Sequence, residues 1–145
     1  TYALAYACAQ AAETMPEGAK AFPFNYYDGL TAEEFALMTE DGKGLHAGDG
    51  EVSMLLAINP DLVDMEKANT EFPNFPETIT SSPALHNAVF FSSPGSVSRM
   101  TKSGTWGDAT KGTAEKGEEI LEAGVQSVIN LMADYEKTIE SLEIR

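Results

Sequence analysis

Only two short stretches of this 145-residue chain have the composition of β-strands, which restricts the folds that it can form. Residues 19–27 are rich in aromatic side chains, although Pro23 has no amide proton and favours an edge position. Residues 88–91 form the second stretch, inside a segment rich in Pro, Ser and Thr. Because one or two strands do not form an independent sheet, we expect a partner chain or a further segment to complete it.

Helical patterns account for much of the remaining chain. Residues 1–12 are rich in alanine, and residues 31–38 begin with Thr and Glu at the spacing of a capping box. Residues 52–58 form an apolar run that stops at Pro60. We interpret that run as a buried helix that is entered through an acidic, glycine-rich loop.

The clearest periodicity lies near the end of the chain, from Gly117 onward, where apolar side chains form one helical stripe over about five turns. These side chains are Leu121, Val125, Val128, Met132, Tyr135 and Ile139. The order of helices, sparse strands and an irregular arm at 71–103 predicts an α/β chain. We expect residues 1–145 to be part of one domain rather than two.

The charge balance excludes several classes of partner. Nine Lys and Arg residues stand against 23 Asp and Glu residues, giving a formal charge of −14. Phosphate groups bind to positive charge, so nucleic acid and anionic membranes are not expected partners. The apolar runs are shorter than the roughly 20 residues of a membrane-spanning helix. Cys8 has no second cysteine to pair with, which fits a reducing compartment such as the cytoplasm.

One imidazole and two carboxylates lie within six residues before the predicted buried helix: His46, Asp49 and Glu51. Histidine changes its charge near neutral pH and carboxylates bind divalent metals, so this trio is suited to metal binding or proton transfer. The same residue types also serve as helix caps and solvated charges. Because the spacing matches neither a His-Glu-x-x-His motif nor an EF-hand, both interpretations stay open.

Three blocks of sequence, taken in order, resemble one enzyme family. His46-Ala47-Gly48 with residues 51–56 resembles a His-Gly-Gly, Glu-Thr-Ser and Leu-Met-Leu segment. Residues 59–68 resemble its Pro-Asp-Leu-Val-Asp continuation, and residues 103–117 resemble the Gly-Asp-Pro and Ala-Glu-Lys-Gly run before its final helix. The chain is similar to the C-terminal half of the creatininase family of metal-dependent amidohydrolases.

The resemblance implies a layered α/β domain whose central sheet is completed by an N-terminal chain or segment. It also implies hydrolysis of amide C–N bonds in small, often cyclic, substrates at divalent metals, zinc or manganese. The family's N-terminal metal motifs have no counterpart here, so the metal would be held mostly by an N-terminal chain of the same precursor. The two-chain unit would form homo-oligomers, often hexamers. Gly42 and Lys43 replace the Trp-Asp pair of creatininase, which argues against creatinine as the substrate.

The resemblance also implies roles for individual residues. His46 matches a histidine that lies over the substrate and would protonate the leaving nitrogen. Glu51 matches a carboxylate that would complete a metal's shell, or alternatively cap the helix. Tyr27 falls at an aromatic substrate contact, with core packing as the alternative. Trp106 would line the substrate site or an interface, or have a structural role.

Thr1 stands where the family's metal-binding loop would end. If a precursor is cut there, the new amino group would serve as the base for the Thr1 hydroxyl, as in N-terminal threonine hydrolases. Accidental proteolysis or a split gene would give the same first residue. The expected function is therefore a metal-dependent amidohydrolase, with autoproteolysis as one of these three origins of Thr1, and the alternative is a non-catalytic structural or regulatory subunit of the same fold.

Overall fold

The computed structural model describes residues 2–39, 44, 46–74 and 96–142. Within these ranges the elements, in chain order, are α1 (Tyr2–Ala12), α2 (Ala32–Thr39), α3 (Asp49–Ile58), 3₁₀ turns at Pro60–Leu62 and Met65–Lys67, β1 (Thr70–Glu71), α4 (Ser96–Met100), β2 (Gly107–Asp108), a 3₁₀ turn at Ala109–Lys111 and α5 (Ala114–Ser141). Across the same ranges we find no helix that combines the length and the apolarity of a bilayer span.

The packing of α3 against α5 forms the centre of the described structure. The two helices approach so closely that a Cβ atom at Gly117 would overlap the carbonyl oxygen of Ser53. Ser53 is fully buried, and its hydroxyl accepts a hydrogen bond from the Thr113 amide at 3.0 Å. Ile120, one turn beyond Gly117, is also fully buried. Small side chains therefore bring the backbones together and fix the position of the first turns of α3.

A buried ion pair joins the same two helices, because Lys116 Nζ binds the carboxylate of Asp49, which is only 4% exposed. We expect Lys116→Ala to lower the free energy of unfolding by about 3 kcal/mol, since it leaves a buried carboxylate without its counter-charge. Urea denaturation measures the loss. The control is Lys67→Ala, which removes an exposed ion pair with Asp64 and should cost less than about 1 kcal/mol. Equal losses in the two variants would contradict the prediction.

The predicted helices are confirmed, with changes in length and burial. At the start of α2, the Thr31 hydroxyl accepts from the Glu34 amide at 3.2 Å and the Glu34 carboxylate accepts from the Thr31 amide at 2.8 Å, which completes the capping box. α5 has 28 residues and is longer than the predicted five turns. α3 is less buried than predicted, because Leu55 and Ile58 are exposed.

The strand predicted over residues 19–27 is wrong, since this segment is irregular and ends in a turn. The Asp28 carboxylate accepts from the Asn25 amide at 2.8 Å, and the Asp28 amide donates to the Asn25 carbonyl at 2.9 Å. Side-chain bonds of this kind compete with strand pairing, and the described residues offer no strand beside this segment. The turn places Tyr26 and Tyr27 side by side, with ring centroids 5.3 Å apart.

The two ends of the predicted arm at 71–103 are fastened to one another. β1 and β2 pair antiparallel, with Glu71 opposite Gly107. The Glu71 carboxylate accepts from the Lys102 and Ser103 amides at 2.6 and 2.9 Å and from the Ser103 hydroxyl at 2.6 Å. Residues 75–95, which include the strand predicted at 88–91, lie outside the described residues.

Two carboxylates in this region make stability depend on pH. Hydrogen bonds from Thr110 and Thr70 hold the pKa of Asp108 well below its usual range, and bonds from Ser103 lower the pKa of Glu71. In the unfolded chain such carboxyls titrate near pH 4, so their stabilisation is present above about pH 4 and is lost as the pH falls through the lower folded values. We expect thermal unfolding to shift less between about pH 5 and pH 3 in Asp108→Asn than in the parent. Parallel pH profiles would contradict this prediction.

Candidate functional site

His46 lies three residues before the first residue of α3, and a backbone bridge holds its main chain. Its amide donates to the Trp106 carbonyl at 3.2 Å, and the Trp106 amide donates to the His46 carbonyl at 2.7 Å. Trp106 is buried, whereas the His46 side chain is 54% exposed. Pairing with Trp106, the residue before β2, therefore fixes the main chain of His46, while its imidazole stays accessible.

Ala47, the next residue, has a φ of 50°, in the left-handed region that residues with a Cβ atom rarely adopt. No other non-glycine residue in the described ranges has a positive φ. Its amide donates to Glu51 Oε2 at 2.5 Å, and the same oxygen lies 3.8 Å from His46 Nδ1. Glu51 is the third residue of α3, so this bond is a capping interaction that reaches back beyond Gly48.

A pocket of about 300 Å³ opens beside this turn, and we call it the His46 pocket. Its wall combines aromatic and apolar side chains with one imidazole and one carboxylate. The lining residues are Tyr26, Tyr27, Phe35, Met38, Thr39, Gly44, His46, Gly48 and Glu51. Such a combination of an apolar wall and a few polar groups is typical of small-molecule sites.

A second, more apolar cleft of about 580 Å³ adjoins the His46 pocket. Tyr26, His46 and Glu51 line both spaces and therefore stand between them. Partial burial raises the pKa of Tyr26. The negative charges of Glu51 and of the neighbouring Tyr27 raise this pKa further. Tyr26 was not predicted as a site residue, whereas Tyr27 was, although the adjacent tyrosine pair was a signal that either ring could face the site.

The structure brings together three of the five predicted site residues: Tyr27, His46 and Glu51 line the same pocket. The ring of Tyr27 lies 6.3 Å from that of Phe35 on α2, edge to face, and both rings line this pocket. Trp106 is joined to His46 through the backbone, but it does not line either space described above. Thr1 lies outside the described residues. The individual roles of these residues stay predictions.

The described residues do not fit a complete metal site. In ranges 2–39, 44, 46–74 and 96–142, we find no group of three or more His, Cys, Asp or Glu side chains placed to hold an ion. Asp49 turns away from His46 and Glu51 into the ion pair with Lys116. His46 and Glu51 are left of the predicted trio, whereas a catalytic zinc site commonly has three protein ligands. A metal-ligand role for Glu51 stays a prediction.

The comparisons with known proteins agree with this fold. A solved creatinine amidohydrolase (creatininase) is 25% identical, with a TM-score of 0.60 over 90% of this chain and 48% of that chain. A manganese creatininase is 22% identical, with a TM-score of 0.58 over 88% and 47% of the two chains. A mutant creatininase of Zn-Zn type is 24% identical, with a TM-score of 0.60 over 90% and 48%. No curated protein sequence matches the chain.

The chain spans about half the length of these solved creatininases. Their likeness confirms the predicted α/β fold class, as part of a creatininase-like domain. Residues 1–132 match the family model for creatininase, described as creatinine amidohydrolase. Because this match covers most of the sequence, the chain belongs to the creatininase family.

Proposed function

We propose that this chain works as the C-terminal part of a metal-dependent amidohydrolase, which hydrolyses the C–N amide bond of a small, cyclic substrate. The observation that carries the proposal is the convergence of Tyr27, His46 and Glu51 on one pocket. Family membership supplies the reaction class, because the matching family model is described as a creatinine amidohydrolase.

His46 is the proton donor in this proposal. Its imidazole is half exposed at the wall of the pocket, while the bridge to Trp106 holds its main chain. When an amide C–N bond breaks, the nitrogen needs a proton to leave as a neutral amine, and a positioned imidazole can supply it. Glu51 Oε2, 3.8 Å from Nδ1, places negative charge on one side of the ring.

The shape of the His46 pocket supports a small substrate with a flat or apolar part. The volume is about 300 Å³, and Tyr27, Phe35 and Met38 form its apolar side. Aromatic rings at such a wall can stack on a planar cyclic amide. At the sequence level, Gly42 and Lys43 stand where creatininase has its Trp-Asp pair, so we propose a substrate other than creatinine.

We further propose that the metal, zinc or manganese, is held mostly by an N-terminal chain of the same precursor. Two observations support this: the described residues lack a metal cluster, and the solved relatives are about twice as long. Two of those relatives are a manganese creatininase and a creatininase of Zn-Zn type. The two-chain unit would act in the cytoplasm as a homo-oligomer. Thr1 would serve as an N-terminal nucleophile, and Thr1→Ala in the precursor would test this role.

Native mass spectrometry of the purified protein, with metal analysis and a hydrolysis assay on a panel of cyclic amides, tests this proposal. We expect the 15.6 kDa chain to be purified together with a companion polypeptide and a divalent metal, and to hydrolyse at least one amide in the panel. A metal-free, inactive assembly would instead support the second candidate, a structural or regulatory subunit. The lack of a metal cluster in the described ranges fits both candidates, so bound metal and turnover distinguish them.

A further inference from the structure

We propose that Glu51 is a positioning residue whose carboxylate holds the strained turn at Ala47 and thereby sets the direction of the His46 imidazole. The effect on catalysis by His46 rests on the proposed function, whereas the effect on the turn at Ala47 does not. The proposal follows from the backbone conformation of the turn, the bonds on either side of it and the position of Glu51 on a well-anchored helix.

The turn at Ala47 has a conformation that its own sequence does not favour. A φ of 50° brings the Cβ atom of Ala47 close to the neighbouring carbonyl, which is unfavourable for every residue except glycine. Such a conformation persists only where the surrounding structure holds it. The Glu51 carboxylate provides that hold, since it accepts the Ala47 amide hydrogen bond at 2.5 Å.

Both sides of the turn are fixed, so the bond from Glu51 closes a small rigid loop. On one side, His46 is paired with Trp106 through two backbone hydrogen bonds. On the other side, Gly48 is the N-cap of α3 and is buried, and as a glycine it makes no side-chain cap bond of its own. Glu51 sits on the first turn of α3, two residues before Ser53, which lies against Gly117 of α5.

Glu51 acts on the imidazole through this loop rather than through a direct bond. The separation of 3.8 Å between Oε2 and Nδ1 is too long for a hydrogen bond. The backbone between His46 and Ala47 therefore transmits the constraint, and the His46 ring faces the pocket because the turn is closed. Loss of the carboxylate would let Ala47 relax to a negative φ and redirect the residue before it.

The test uses the full-length, metal-loaded protein with four variants: Glu51→Gln, Glu51→Ala, the double variant Glu51→Ala with Ala47→Gly, and the exposed control Glu119→Ala. Hydrogen exchange of the peptide containing residues 46–51 reports on the turn. Metal content per chain, kcat and KM are measured in parallel. Glutamine keeps an acceptor oxygen for the Ala47 amide, and glycine adopts a positive φ without a Cβ penalty.

We expect Glu51→Ala to accelerate exchange of the turn amides about tenfold and to lower kcat by about tenfold or more, with KM and metal content unchanged. Glu51→Gln should stay within about threefold of the parent in both readouts, and Ala47→Gly should restore most of the kcat lost in Glu51→Ala. Glu119→Ala should match the parent. The rescue by glycine separates a positioning role from a merely structural one.

Two results would overturn the proposal. Unchanged exchange in Glu51→Ala would show that the carboxylate does not hold the turn. Loss of one metal equivalent in both Glu51→Ala and Glu51→Gln would show that Glu51 is a metal ligand instead. If the parent hydrolyses no amide in the panel, the proposed function fails, whereas the exchange and metal measurements still decide the role of Glu51.

Discussion

Replacing His46 with alanine is expected to lower kcat for amide hydrolysis by about 10²- to 10⁴-fold, the range commonly lost with a general acid. The leaving nitrogen would then have to depart without a positioned proton donor. The fold should survive, because the bonds to Trp106 use only the main chain of His46 and the side chain is 54% exposed. Steady-state kinetics of the full-length protein at saturating substrate measure the loss.

The matched control for this prediction is His86→Ala, which removes the chain's other histidine. His86 stands in the segment rich in Pro, Ser and Thr, outside the three blocks that resemble the creatininase family, so its replacement should leave kcat within about twofold of the parent. Native mass spectrometry and circular dichroism check that His46→Ala keeps the assembly and the helix content. Unchanged turnover in a correctly folded His46→Ala protein would remove His46 from the chemistry.

The helices could be predicted from the sequence because their signals are local. The stripe of α5 and the Thr31–Glu34 capping box each depend on residues three or four positions apart. A strand depends on a partner, and the segment at 19–27 has none among the described residues. Side-chain bonds between Asn25 and Asp28 stabilise a turn there instead.

The site was predicted only where its residues lie close together in the sequence. His46 and Glu51 are close in sequence, so their proximity in space followed from the predicted helix entry. The pairing of Asp49 with Lys116 joins residues 67 positions apart, and no local pattern indicates it. That pairing removes Asp49 from the predicted trio. Tyr26 reaches the site only because the turn at Asn25–Asp28 directs it there, and this turn was not predicted.

Replacing Gly117 with alanine is expected to lower the free energy of unfolding by more than about 3 kcal/mol, beyond the usual range for overpacking. The added Cβ atom would overlap the carbonyl carbon and oxygen of Ser53, which are backbone atoms and cannot rotate away. α3 and α5 would have to separate, and the bond from Thr113 to the Ser53 hydroxyl would be lost with the contact. Urea denaturation measures the change, and a variant that is insoluble at expression temperature gives the same answer.

Gly124→Ala is the matched control, because it makes the same change about two turns further along α5. Its Cβ atom would lie 3.3 Å from Cδ2 of Tyr26, a side chain that can shift. The gain in helix propensity, about 1 kcal/mol, offsets that contact, so stability should change little. Equal losses of unfolding free energy in the two variants would show that the contact between Gly117 and Ser53 is no more sensitive to an added Cβ atom than the contact at Gly124. A selective loss in Gly117→Ala would instead show that the fold depends on the close approach of α3 and α5 at Ser53, two residues after Glu51.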